Sequence, residues 1–280
     1  MSGSARSPSL AAFDAFADEV TALARGIDGY LTDREARFLA LVAAYPTAAG
    51  VVLEIGSHKG KSTVILARAA AFGDAGPVVA VDPLTSPSPT DPDLKGATSV
   101  LPEFRGNLRR AGVEDLVEFH ALTSAELAAR WDPERRIRLL WIDGDHTYDG
   151  ARSDFEMFLP FLSDGAIVAF HDVLHRFEGP VRVFLESVLA SGRFDPAGLC
   201  GSIGWAQFLG AAAPAPHHRA RVRLARKLQR LVPYSRPQGT RGPLADLRYR
   251  LWRHRIPHAE VPPSAWLAQV RRAEEMGRTS

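Results

Sequence analysis

The chain has 280 residues and 46% hydrophobic content, enough to bury a sizeable core in one large domain followed by a tail. Its single cysteine, Cys200, excludes an internal disulfide and a cysteine-ligated zinc site. The net charge of +2 conceals an asymmetry: residues 211–280 carry 15 Lys/Arg against 4 Asp/Glu, a balance of +11, which leaves −9 on the first 210. The start of the chain lacks the basic and apolar regions of a signal peptide, and no run of about 18 apolar residues occurs, so a cytoplasmic protein is the expectation.

In chain order, an Ala/Leu-rich stretch from about Leu10 to Arg25 reads as a first helix. A second opens on the capping box Thr32-Asp33-Arg34-Glu35 and carries Phe38, Leu39, Leu41 and Val42 at helical spacing. Short apolar runs then recur at 51–55, 78–82, 116–122, 138–143 and 166–172, as buried parallel strands do, with helix-forming sequence or long loops between them. A helical segment near Gly179 to Ala190 precedes two runs, 194–199 and 203–209, that read as a closing hairpin. The Pro/Ser/Thr-rich stretch 83–93 reads as a mobile loop at the ligand edge. Alternating strands and helices predict a doubly wound, Rossmann-like α/β sheet that holds ligands at the carboxyl ends of its strands. The residues closing the runs, Glu54, Asp82, Thr123, Asp143, His171 and Asp172, are therefore the ones that bear on function.

The segment VVLEIGSHKGKST (51–63) is a strand, a glycine-bearing turn and a helix start near Ser62. Gly56 and Gly60 form E-x-G-x-x-x-G, which lets the backbone approach a ligand but differs from the G-x-G-x-x-G that a dinucleotide pyrophosphate requires. Asp82 closes the next run, where a carboxylate can accept ribose hydroxyls. A glycine after a strand is commonly only a turn, but this order of elements is the one a nucleoside site needs. Thr123 or Ser124 stands where the adenine edge would bind, though a hydroxyl there equally caps the next helix. The stretch 139–173 then brings Asp143, Asp145, His146, His171 and Asp172 to the ends of two strands, residue types suited to a divalent cation or a general base. For Asp145 the plainer reading is a cap, with Thr147, of the helix near Tyr148.

The motifs EIGSHKGKST, IDGDHTY and GAIVAFHD resemble those of class I methyltransferases, particularly a group of small bacterial ones, over roughly Thr32 to Leu209. The resemblance implies a seven-stranded sheet with its last strand antiparallel. With the patterns above, the expected organisation is N-terminal helices (1–45) packing on a catalytic domain (46–210), and a basic helical extension (211–280) that lies outside the resemblance. It also implies S-adenosylmethionine as cofactor, bordered by Glu54, Gly56, Ser57, Gly60, Ser62, Asp82, Thr123 and Asp143. Similarity to metal-dependent catechol-type and macrolide-sugar O-methyltransferases implies a hard divalent ion, magnesium, on Asp143, His171 and Asp172, with His146 as general base three residues after Asp143. His171 stands where that pattern has an acidic ligand. The acceptor implied is a hydroxyl of a sugar, glycan or glycosylated natural product.

The tail segments RARVRLARKLQRLVPY (219–234) and DLRYRLWRHR (246–255) interleave arginine with Leu, Tyr and Trp. A solvated or oligomer-packing helix is the plain reading; contact with an anionic glycan, lipid surface or partner is the functional one. Nucleic acid is less favoured, since no Asn-Pro-Pro-Tyr-like motif for a flipped base is present. A nucleic-acid methyltransferase clamped by the tail and a non-catalytic scaffold are the rival functions; a nicotinamide dehydrogenase is disfavoured by the glycine spacing.

Overall fold

The computed structural model describes residues 8–84, 99–210, 217–236 and 242–278. Strands β1 (Val51–Ile55), β2 (Val78–Val81), β3 (Val117–His120), β4 (Ile137–Ile142), β5 (Leu162–Phe170), β6 (Phe194–Cys200) and β7 (Ile203–Phe208) form one sheet in the order β3-β2-β1-β4-β5-β7-β6. The first five run parallel, and β7, last in sequence, is antiparallel to both its neighbours. The chain therefore has the expected doubly wound, seven-stranded Rossmann-like architecture. Among the described residues no helix is long and apolar enough to cross a membrane.

Side chains along β4 alternate between two cores, as strand periodicity requires. Leu139 and Trp141 face helices α1 (Leu10–Arg25), α2 (Asp33–Ala44), α3 (Lys61–Phe72) and α4 (Leu101–Arg110). Leu140 and Ile142 face α5 (Ser124–Ala128), α6 (Tyr148–Phe158) and α7 (Glu178–Val183), which continues as a π-helical turn over Phe184–Leu189. The capping box of α2 is present: the Glu35 carboxylate accepts the Thr32 N–H at 2.9 Å, and the Thr32 hydroxyl accepts the Glu35 N–H at 3.4 Å.

Two strands differ from expectation by more than one residue at a limit. β3 ends at His120 rather than 122, so Thr123 lies beyond the strand. β5 begins at Leu162, four residues before the apolar run, because a register break between Ile137 and Leu139 lets polar Ser163, Asp164 and Gly165 ride in the strand. Of the loop expected at 83–93, Pro83 and Leu84 are described and the remainder lies outside the described residues.

The C-terminal region is built into the fold. Helices α8 (His218–Leu228) and α9 (Pro243–Arg253) contribute Leu224, Leu228 and Tyr249 to the core beneath α6 and α7, while α10 (Pro263–Arg278) contributes Trp266 and Val270 to the opposite core. The buried Arg221 guanidinium donates to the carbonyls of Leu189 and Ser191, closing the end of the π-helical turn. Trp266 Nε1 donates to the Tyr45 carbonyl at 2.9 Å. Leu228 is fully buried, so Leu228→Ala is expected to lower unfolding free energy by about 2–5 kcal/mol. Urea denaturation checks this; an unchanged midpoint would mean that α8 packs only weakly.

Candidate active site

The parallel strands bring their carboxyl ends to one rim, and the glycine turn after β1 is its centre. Gly56 has φ +87°, and a Cβ there would stand 2.3 Å from the Asp143 carbonyl oxygen, so the turn needs glycine on both conformational and steric grounds. The Asp143 N–H donates to the Ile55 carbonyl at 2.8 Å, which ties the end of β4 to the start of this turn. Gly60 then caps α3 at the far end of the turn.

Asp82 closes β2 and holds the turn from beneath. Its Oδ2 accepts the N–H groups of Ser57 and His58, both at 2.8 Å, and its Oδ1 accepts that of Leu84 at 2.8 Å. A carboxylate offers about four lone-pair directions. Three are engaged, so Asp82 has room for about one further donor rather than the pair of ribose hydroxyls expected from its position. Burial pushes its pKa up, opposed by these backbone donors.

Glu54 is wholly buried at the end of β1. Its Oε2 accepts from Ser57 Oγ at 3.0 Å and Thr63 Oγ1 at 2.5 Å, and among the described residues its Oε1 has no hydrogen-bond partner. Burial drives its pKa to about 7 against the opposing hydroxyls of Ser62, Thr63 and Ser57. A buried oxygen with no donor is costly unless something supplies one, and this one lies under the turn that a nucleoside cofactor would occupy. The residues present therefore fit such a ligand.

At the ends of β4 and β5, five ionisable side chains form a continuous row. The His146 Nε2 lies 3.1 Å from Asp172 Oδ2 and 3.9 Å from Asp143 Oδ1. His171 Nδ1 lies 3.1 Å from Asp143 Oδ1 and 3.3 Å from Asp172 Oδ1, and its Nε2 is 3.9 Å from Glu35 Oε2. Asp172 adopts φ +59°, a strained backbone for a non-glycine residue that persists where surrounding structure fixes it. Phe177 stacks on the His146 ring at 4.3 Å between centroids.

The charges are mutually enforced. Burial disfavours an imidazolium at position 146, yet hydrogen bonding to Asp143 and Asp172 outweighs it and raises the pKa to about 9. For His171 burial is likewise overcome by the fields of the same two carboxylates, which hold its pKa well above the usual value. Burial favours neutral Asp143, Asp172 and Glu35, but the imidazoles outweigh it and keep all three pKa values low.

Asp143, His146 and Asp172 offer ligand atoms that all lie within 4.8 Å of one another. Two carboxylates and an imidazole suit a borderline or hard divalent cation. With three carboxylates and two imidazoliums the row carries one net negative charge, and exchanging the His146 proton for a divalent ion would bring it to zero. The donor set therefore fits a metal. His171 Nδ1 faces the same two carboxylates, which hold its pKa well above the usual value, but it is only 3% exposed and lies outside this three-donor group.

Thr123 caps α5, its hydroxyl accepting the Glu126 N–H at 3.2 Å, so of the two readings open for it the cap is the one present. Ser124 donates to Asp154 at 2.5 Å, and Asp145 and Thr147 form the expected turn and cap before α6.

Residues 53–173 match the family model described as a methyltransferase domain. Solved structures share this fold. The O-methyltransferase TomG of Streptomyces achromogenes, involved in tomaymycin synthesis and solved with S-adenosylmethionine, is 20% identical, with 70% of this chain and 90% of that one covered at a TM-score of 0.50. A Klebsiella pneumoniae protein provisionally described as an O-methyltransferase is also 20% identical, with the same coverage and a TM-score of 0.51. A Podospora anserina methyltransferase bound to S-adenosylhomocysteine is 14% identical over 69% of this chain and 87% of that one, at a TM-score of 0.50.

Two contributors to the candidate site escaped sequence reading. Glu35 had a sufficient explanation as a capping residue, and nothing in the sequence links Phe177 to His146. A Gly56→Ala substitution is expected to destabilise the domain by about 3 kcal/mol or more through combined strain and clash. Thermal unfolding measures it; a melting temperature equal to wild type would refute the close packing of this turn on Asp143.

Proposed function

We propose that this chain is an S-adenosylmethionine-dependent methyltransferase that acts on a hydroxyl oxygen of a sugar, glycan or glycosylated natural product, with His146 as general base. The observation that carries the reading is the convergence of Asp143, His146 and Asp172 at the ends of two adjacent strands, beside the glycine turn. In the reaction an O–CH₃ bond forms as an S–CH₃ bond breaks, and the hydroxyl proton passes to the His146 imidazole. Holding both reactants in line supplies roughly 7–11 kcal/mol of the barrier, and a positioned base adds about 10²–10⁴-fold. The part that TomG plays in the synthesis of a natural product lends support to an acceptor of that kind.

With its pKa near 9, His146 already holds a proton at neutral pH, so a base at this position needs the field of the two carboxylates offset. A divalent ion, magnesium in the first instance, would be held by Asp143 and Asp172, and when bound would offset that field, leave the His146 lone pair free to accept a proton, and acidify the acceptor hydroxyl. Metal and base are thus linked rather than competing assignments. His146→Ala is expected to lower kcat by about 10²–10⁴-fold with cofactor affinity little changed. Chelation is expected to abolish turnover and magnesium to restore it. Near-normal kcat in the variant would remove the base, and full activity after chelation would remove the metal.

Glu54, Gly56, Ser57, Gly60, Ser62 and Asp82 would hold the cofactor, with Glu54 Oε1 accepting from its ammonium group. A cation beside Glu54 favours the ionised carboxylate, whose pKa in the free protein is about 7. Binding then releases a proton below that pH, so S-adenosylmethionine affinity is expected to fall about tenfold from pH 8 to pH 6. Calorimetry at the two pH values checks this. The dependence should vanish in Glu54→Gln; if it persists there, the proton belongs to another group.

A further inference from the structure

α9 presents to solvent a face that the fold does not use. Leu244, Leu247 and Leu251 are 62%, 55% and 55% exposed. Their spacing of three and four residues aligns them on one side of the helix, while Tyr249 on the other side enters the core. Arg248 lies within the leucine face, and the exposed Arg255 follows at its end.

The neighbouring surface is strongly basic. Along α8 and the two residues after it, the exposed positions include Arg219, Arg223, Arg226, Lys227 and Arg230, whereas Leu224 and Leu228 point inward. No acidic residue occurs in 217–236. The one acid of 242–256, Asp246, is paired with Arg250 at 2.8 Å. The Trp252 ring of α9 receives the guanidinium groups of Arg230, just beyond α8, and of Arg255 at 4.6 and 4.8 Å. Cations thus border the helix that carries the leucines.

This surface is anchored to the candidate site. The Tyr249 hydroxyl donates to the His175 carbonyl, and the His175 N–H donates to the Asp172 carbonyl at 3.0 Å. Phe177, which stacks on His146, forms a backbone bridge with Arg236.

We propose that α8 and α9 dock this protein onto an anionic lipid surface, the leucines entering the interface and the arginines meeting the headgroups. A basic surface alone would suit any polyanion. Three aligned exposed leucines favour lipid, because a nucleic acid or soluble glycan offers no apolar layer to receive them. Docking there sets the rim that holds His146 near the membrane, so the acceptor class becomes a hydroxyl on a membrane-borne glycan or lipid. That consequence, unlike the docking, rests on the methyl-transfer reading.

The test is flotation of the full chain with phosphatidylcholine vesicles carrying about 30 mol% phosphatidylglycerol, against phosphatidylcholine alone. Partitioning into the anionic vesicles is expected to be at least about tenfold stronger and to weaken several-fold at about 0.5 M salt. Leu247→Ser/Leu251→Ser and, separately, Arg223→Glu/Arg226→Glu should each reduce it about tenfold or more without changing the melting temperature. His146→Ala should float as wild type does, so failure of the catalytic reading and failure of docking are read apart. Absence of flotation overturns the proposal. So does tight binding of an RNA duplex that ignores the leucine variant while vesicles stay unbound, or a dimer, dissolved by that variant, in place of vesicle binding.

Discussion

Two carboxylates at the ends of adjacent strands repel each other, and the rim of this protein is organised around holding Asp143 and Asp172 together. At about 4 Å, like charges in a partly shielded protein setting cost on the order of 4 kcal/mol. The cost is offset by interleaving imidazoles: His171 lies within 3.3 Å of both carboxylates, and His146 is 3.1 Å from Asp172 on the more open side. Neither histidine could be replaced by a neutral group without leaving the pair uncompensated. The positive φ of Asp172 is strain that this arrangement sustains.

The row does not stop at the sheet. Glu35, a buried carboxylate on α2, faces His171 from behind and accepts both the N–H and hydroxyl of Ser202, at 2.6 and 2.7 Å. Its other oxygen accepts the Thr32 N–H and hydroxyl. Gly201 is required here as well, since with φ +60° a Cβ would stand 2.6 Å from the Glu35 carboxylate. One carboxylate thus joins an N-terminal helix, the β6–β7 turn and the imidazole between the two aspartates. The N-terminal helices thus complete the charge network of the domain.

Much of the fold was legible because its cause is periodic and local. Buried parallel strands produce short unbroken apolar runs, and the polar residue closing each run marks the rim, so Glu54, Asp82, Asp143, His171 and Asp172 were located by pattern alone. What stayed hidden depends on contacts between distant segments. Glu35 and His171 meet across 136 positions of sequence, and a capping box explained the glutamate without them. The register break in β5 was concealed by its own polar residues. In the tail, alternating arginine and leucine suggested a surface element, whereas Leu224 and Leu228 of α8 are core, Arg221 is buried beside them, and the other arginines cover the exposed face.

The same hidden contacts decide between His146 and His171, which composition treats as equivalent. Both lie beside the same aspartates, but His146 keeps 17% of its side chain exposed against 3% for His171. Exposure determines which imidazole can exchange its proton with something outside the protein. The enclosed one lies among three carboxylates, whose fields hold its pKa well above the usual value, while the open one, stacked on Phe177, is the imidazole that solvent or a ligand can reach. On the proposed reading, a cation that satisfied the aspartates would free the proton of the open imidazole, so that a bound ion and a proton acceptor would arise at one place from one set of side chains.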